Sequence, residues 1–154
     1  MISPDSFFAL SFTLFMKFIL ALIRQLGSTL LFPVSWTITL LVLLCLPGNS
    51  IPGNGLFSIK HLDKVAHIGL FGGFVLFWGL YAWAKKKRKL TWPYALIGVT
   101  FISIILGIAM EYVQLNFIPD RSFDIGDIGA DIIGSLLALI ILGKFGARLG
   151  LLIE

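Results

Sequence analysis

The sequence contains few charged residues and almost no cysteine. Of its 154 residues only 13% are charged, whereas 58% are hydrophobic. So few polar side chains leave too little surface to solvate a compact water-soluble globule. The one cysteine, Cys45, excludes an intrachain disulfide and, inside an apolar run, is interpreted as a packing residue. The composition therefore predicts an integral membrane protein without a separate soluble domain.

The sequence also lacks the familiar short metal-binding patterns. It has no pair of histidines four residues apart and no calcium-binding loop. No cofactor is identified from a motif, and metal ligands are unknown at this level. A divalent cation stays an open candidate, because carboxylates of the kind that bind hard cations occur in the apolar half of the chain.

Four apolar runs are separated by polar or turn-forming residues, at positions 34–46, 66–83, 95–115 and 128–142. A helix that crosses a bilayer takes on the order of 20 residues. Prolines, glycines and asparagines between the first two runs indicate a loop, and Thr91 followed by Pro93 is typical of a helix start. The expected fold is an all-α, polytopic membrane bundle with four transmembrane helices.

The N-terminal segment is ambiguous. Polar residues recur at helical spacing through positions 7–23, which favours an amphipathic helix lying in the membrane interface. The alternative is a fifth span in which Lys17 snorkels to the interface. The expected organisation is an N-terminal helix at 1–31, a four-helix transmembrane domain at 32–146 and a cytoplasmic tail at 147–154.

A run of five basic residues at 85–89 (KKKRK) predicts the orientation of the chain. Basic loops stay on the cytoplasmic side of a bacterial membrane, so this linker is expected inside. The start of the second helix, the end of the third and the start of the fourth then face outside. The basic run serves topology or contact with anionic lipid headgroups, and no nucleic-acid partner is expected.

Ionisable residues interrupt the apolar runs at these three outward-facing ends. A charge in hydrocarbon costs several kcal/mol, roughly 2.5–3.5 by the most lenient scale, so such residues face protein or water. On the last helix Asp124, Asp127, Asp131 and Ser135 fall within an arc of about 80° at 100° per residue. The third helix carries a similar stripe: Thr100, Ser103, Gly107, Glu111 and Gln114. The sequence predicts that both stripes turn toward a shared polar site.

Small residues indicate where the helices approach one another closely. These are Ala130, Gly134 and Ala138 on the last helix, with Gly69 and Gly73 on the second. The three aromatic residues Phe71, Phe74 and Trp78 lie beyond His67 on the second helix. They are interpreted as core, with contact to a lipid chain as the alternative.

Several of the polar residues form short motifs in a fixed order: Asp63-Lys64-x-x-His67 with Phe71, Glu111-x-x-Gln114, and Arg121-Ser122-Phe123-Asp124 with Asp127 and Gly134. In this order, over residues 34–143, they resemble the signature of the VanZ-like membrane proteins. The resemblance implies a small helical bundle in the bacterial cytoplasmic membrane and a link to low-level resistance to the glycopeptide teicoplanin, without an established biochemical activity. The chain departs from the pattern at Asp131, where many relatives have asparagine.

Each site residue has a functional and a structural interpretation. The candidate catalytic residues are His67, Glu111, Asp127 and Asp131, and the candidate ligand-binding residues are Asp63, Lys64, Gln114, Arg121 and Asp124. His67 is an acid–base or ligand group, or a structural residue paired with Asp63. Arg121 holds an anionic headgroup, or it neutralises Asp124 and Asp127.

Three functions are weighed for this site. The favoured one is a polar pocket in the outer leaflet that binds an amphiphile, such as a lipid-linked cell-wall intermediate or a lipoglycopeptide, among membrane lipids. The second is a membrane-embedded hydrolase or transferase acting on such a lipid, with acids holding a hard cation and His67 as base. The third, proton-coupled transport, is disfavoured because the ionisable groups crowd into one leaflet. The oligomeric state is not predicted.

Overall fold

The structure is a computed structural model, and it describes residues 27–48, 61–85 and 91–152 together with residues 11, 13–15, 18, 21 and 25. Four α-helices run through these residues: α1 (Leu31–Leu44), α2 (Leu62–Lys85), α3 (Thr91–Phe117) and α4 (Ile125–Leu152). The described residues contain no strand. The all-α fold is therefore confirmed.

Three of the helices are long and apolar enough to cross a membrane, namely α2, α3 and the 125–145 part of α4. Helix α1 is apolar but has only 14 residues. At 1.5 Å per residue it reaches about 21 Å, less than a hydrocarbon core of about 30 Å. Three of the four expected spans therefore have the length and apolar character of helices that cross a membrane. The sequence predicted the first apolar run at 34–46, and its crossing of the membrane stays a prediction.

The predicted N-terminal helix falls largely outside the described residues. At the described positions between 11 and 27 the backbone is helical, and the side chains of Leu14, Phe15 and Phe18 are exposed. The interfacial helix and the fifth span stay alternative predictions. The loop at 49–60 and residues 86–90, which include four of the five basic residues, also lie outside the described residues.

Helices α2 and α4 form the most extensive contact in the bundle. A Cβ atom added at Gly134 would collide with the carbonyl oxygen of Ile68, and one added at Gly72 would lie 3.1 Å from the carbonyl oxygen of Gly134. The two backbones therefore touch. The predicted close approach at Gly134 is confirmed. On α2 the contact is made at Ile68 and Gly72, whereas Gly69, which the sequence predicted together with Gly73, has open space around it.

Substitution of Gly134 by alanine should destabilise the bundle by about 1–3 kcal/mol, because the added methyl meets backbone atoms that have no rotamer to change. Unfolding of the purified protein in a mixed-micelle titration measures the effect. Gly143 in the same helix has nothing within 4 Å of its missing Cβ. Gly143→Ala is the matched control and should leave stability unchanged; equal losses in both variants would contradict the close crossing.

The apolar core lies between the helices. Phe71 is fully buried and Phe74 is 7% exposed, and both belong to this core. Their interpretation as core residues is confirmed. Gly73 leaves room for the indole of Trp36, whose Nε1 donates to the carbonyl oxygen of Leu70 at 2.8 Å and joins α1 to α2.

Candidate functional site

Ionisable side chains from three helices meet at one end of the bundle. They come from the first turns of α2, the last turns of α3 and the residues that open α4. We call the following residues the polar cluster: Lys64, His67, Glu111, Asp124, Asp127 and Asp131. The helical stripes are confirmed as buried faces, since Ser103 and Ser135 are fully buried and Thr100 and Gln114 nearly so.

His67 and Asp131 form the deepest pair of the polar cluster. His67 Nδ1 lies 2.8 Å from Asp131 Oδ1, and the two residues are 4% and 1% exposed. His67 Nε2 lies 3.9 Å from Asp127 Oδ2. The structural interpretation that paired His67 with Asp63 is not what the fold shows, because Asp63 points to the exposed rim beside Lys64.

Lys64 is the cation of the polar cluster. Its Nζ donates to Asp124 Oδ2 at 2.7 Å and to Asp127 Oδ1 at 2.9 Å, and it lies 3.4 Å from Asp63 Oδ2. The hydrogen bond from Lys64 holds the pKa of the Asp124 carboxyl below its ordinary value of 3.8. One of the two sequence interpretations gave the neutralising role to Arg121; within the described residues Lys64 fills it.

Asp124 and Glu111 together define the start of α4. Asp124 Oδ1 accepts the backbone N–H of Gly126 at 2.7 Å, and the Asp124 carbonyl accepts from Asp127 at 3.0 Å, which is the geometry of an N-cap. Glu111 Oε2 accepts the backbone N–H of Asp124 at 2.9 Å. A side chain of α3 thus fixes the position at which α4 begins.

Gln114 and Arg121 attach the end of α1 to this region. Gln114 Nε2 donates to the carbonyl oxygen of Leu44 at 2.9 Å, and Arg121 Nε donates to that of Leu46 at 3.3 Å. Helix carbonyls at a C-terminus lack intrahelical partners, so both bonds satisfy groups that need them. The structure gives these two candidate ligand residues a structural contact.

Two buried carboxylate oxygens in the polar cluster have no hydrogen-bond partner among the described residues: Glu111 Oε1 and Asp131 Oδ2. Glu111 and Asp131 are each 1% exposed. A Cβ added at Gly107 of α3 would lie 2.6 Å from Asp131 Oδ2, so this glycine is the reason the carboxylate fits between α3 and α4. An unpaired buried oxygen of this kind costs about 1–3 kcal/mol or more.

Two groups of side chains have the composition and spacing of a metal site. The ligand atoms of His67, Glu111 and Asp127 lie within 4.8 Å of one another in the buried part, and those of Asp63, Asp124 and Asp127 do so at the rim. Lys64 Nζ already sits among the three rim carboxylates. The buried His/Asp/Glu group is therefore the one that can hold a metal ion.

The structure brings six of the predicted site residues into the polar cluster and also shows contacts that were not predicted from the sequence. The Ser103 and Ser135 hydroxyls are 2.8 Å apart, and the Ser135 hydroxyl donates to the Asp131 backbone carbonyl. Hydrogen bonds therefore continue from Asp131 to the two buried serines. The sequence did indicate where to look for this contact, because Ser103 and Ser135 belong to the polar stripes of α3 and α4. No sequence pattern indicated that Lys64 would pair with Asp124 and Asp127, because this contact depends on how α2 is rotated against α4.

No family model, curated protein or solved structure is significantly similar to this chain. The VanZ-like resemblance of its short motifs stays a prediction.

Proposed function

We propose that this chain is a VanZ-like integral membrane protein of the bacterial cell envelope, and that its polar cluster binds the polar head of an amphiphilic or lipid-linked ligand. Three apolar helices support the membrane location. The ordered motifs that carry the family resemblance supply most of the polar cluster. A lipid-linked cell-wall intermediate or a lipoglycopeptide is the proposed ligand class.

The observation that carries this proposal is the burial of His67, Glu111 and Asp131 at 4%, 1% and 1% exposure between apolar helices. Ionisable groups at such positions are expensive and mark ligand or ion sites. Packing alone would be served by apolar side chains of similar volume, which often match or exceed the stability of a buried ionic group. The bundle keeps the ionisable groups, so we assign them to ligand recognition.

The charges favour a particular head group. Lys64, one of the candidate ligand-binding residues, is paired with carboxylates and has no capacity left for an anion. Among the described residues Arg121 forms no salt bridge, and its guanidinium is the cationic group left for an anion. The excess of acids suits an amine on the ligand, or a phosphate reached through a bridging divalent cation.

We place the polar cluster on the outer face, with the linker at 85–89 in the cytoplasm, from the positive-inside bias. A thiol probe distinguishes the two orientations. In a Cys45→Ser background, a membrane-impermeant maleimide on intact cells should label Ser122→Cys and spare Lys85→Cys. The reverse pattern would contradict the orientation.

A photocrosslinker at Val65 should capture the proposed ligand. Val65 lies beside Lys64 in the first turn of α2 and is 61% exposed, while Tyr94, near the start of α3, is 70% exposed. With benzoylphenylalanine at each position, mass spectrometry should show an enriched envelope lipid at 65 and only bulk phospholipid at 94. Bulk phospholipid at both positions would count against the proposal.

The link to teicoplanin-type glycopeptide resistance is proposed from the resemblance alone. Expression of the chain in a susceptible bacterium should raise the inhibitory concentration of teicoplanin, and Asp127→Asn should abolish the increase while the protein accumulates normally. An unchanged inhibitory concentration with the wild-type chain would remove this part of the proposal.

The second candidate is a membrane-embedded hydrolase or transferase for a lipid-linked substrate. The His67–Asp131 pair favours it, because a carboxylate on Nδ1 fixes the imidazole tautomer and leaves Nε2 as base or ligand. Incubation of the purified protein with polyprenyl diphosphates or phospholipids tests this candidate. Absence of turnover at every divalent ion tried would leave binding as the function.

A further inference from the structure

The three buried side chains His67, Glu111 and Asp127 share one arrangement. Each is fixed through one polar atom and presents a second: His67 Nδ1 pairs with Asp131, Glu111 Oε2 accepts from Asp124, and Asp127 Oδ1 accepts from Lys64. The second atoms are His67 Nε2, Glu111 Oε1 and Asp127 Oδ2. A side chain held in this way keeps its orientation, and its second polar atom is available to bind a metal ion.

The spacing is close to that of ligands around one ion. One ligand atom from each of the three side chains lies within 4.8 Å of the other two, and His67 Nε2 is 3.9 Å from Asp127 Oδ2. Ligands at 2.0–2.1 Å from a tetrahedral ion are about 3.3 Å apart. The ligand atoms therefore need to move together by no more than about 1.5 Å to bind one ion.

Glu111 supplies an independent sign of a missing partner. It is 1% exposed, and its Oε1 has no hydrogen-bond donor within the described residues. Buried carboxylate oxygens are satisfied by donors or by cations. Lys64 does not fill this role, because its Nζ donates to Asp124 and Asp127.

We propose that His67 Nε2, Glu111 and Asp127 bind one divalent first-row transition ion, of the class of Zn²⁺ or Mn²⁺, and that Asp131 is the positioning residue for His67. An imidazole among the ligands favours this class over Mg²⁺ and Ca²⁺, which take oxygen ligands. Two carboxylates balance the charge of the ion, so the ion and its two acids together carry no net charge. Three protein ligands leave a coordination position for water or a ligand oxygen.

This inference deepens the proposed function, on which its biological use rests, because the ion would be the bridge between the acids and a phosphate head. The binding site itself is tested with the metal alone. Binding of the ion without capture of a lipid would contradict the proposed function and support this inference. Capture of a lipid without binding of the ion would support the proposed function and contradict this inference.

The test is equilibrium binding of Zn²⁺, and separately of Mn²⁺, to the full chain in detergent after removal of metals with a chelator. We expect one ion per chain. Glu111→Gln should weaken binding by more than about 100-fold, and Asp131→Asn by about 10–100-fold, with unchanged helicity. Asp120→Asn, at an exposed carboxylate outside the polar cluster, should bind as the wild type does. Absence of binding for both ions, retention in Glu111→Gln, or loss in Asp120→Asn would overturn the site.

A second measurement uses the wild-type chain alone and so does not require any variant to fold. Pulsed EPR of the Mn²⁺-loaded wild-type chain should show hyperfine coupling to one imidazole nitrogen. Coupling to oxygen ligands and water alone would overturn the assignment of His67 as a ligand.

Discussion

Replacement of Asp131 by alanine should cost about 3–5 kcal/mol of unfolding free energy, enough to bring the bundle near its unfolding threshold. Asp131 Oδ1 lies 2.8 Å from His67 Nδ1 at a site that water does not reach. Its loss leaves the imidazole buried without a partner and opens a cavity against Gly107. Mixed-micelle unfolding of the purified chain measures the loss.

Asp131→Asn is the matched comparison. Asparagine has the same shape and its carbonyl oxygen accepts from Nδ1, so we expect a loss of only about 1–2 kcal/mol, the net value of a charged over a neutral hydrogen bond. A loss below about 1 kcal/mol in the alanine variant would mean that Asp131 does not hold His67.

Replacement of Lys64 by methionine should destabilise the chain by about 2 kcal/mol and remove part of its sensitivity to acid. Lys64 holds Asp124 and Asp127 at 2.7 and 2.9 Å, and methionine would leave these acids facing each other. The expected loss is smaller than for Asp131 because 27% of the Lys64 side chain is exposed and solvent screens the pairs.

The acid dependence follows from Asp124. Its pKa in the folded chain is lowered by the hydrogen bond from Lys64. The stability from this pair is present above the unfolded pKa of about 3.9 and is lost as the pH falls through the lower folded value. In Lys64→Met this acid limb should flatten. Asp63→Asn should change stability by less than about 1 kcal/mol, since the 3.4 Å contact is exposed; equal effects in both variants would contradict the bridging role of Lys64.

Helical periodicity explains why so much of the polar cluster could be predicted. Charges cannot face acyl chains, and the spacing of three or four residues puts them on one side of a helix, so the stripes on α3 and α4 had to be buried. Burial of Thr100, Ser103, Gln114 and Ser135 follows from the same rule. The helical period determines which residues share a face, and the cost of placing charges in hydrocarbon determines that this face is buried.

The period does not fix how one helix is rotated against its neighbour. Gly69, Gly72 and Gly73 lie within an arc of about 100° on α2, and only the folded packing selects Gly72 for the contact with Gly134. For the same reason the sequence did not reveal that Lys64 would bridge the acids. Arg121 and Gln114 bind carbonyls at the end of α1, which no local pattern indicates.

A double-mutant cycle on His67 and Asp131 tests most directly whether α2 and α4 join their ionisable groups into one buried site. His67→Ala, Asp131→Ala and the double variant are unfolded under identical micelle conditions. We expect the losses to be non-additive by about 1.5–3 kcal/mol, the range for groups in direct contact. Losses that add to within about 0.5 kcal/mol would show that the imidazole and the carboxylate do not interact, and the proposed site would have no foundation.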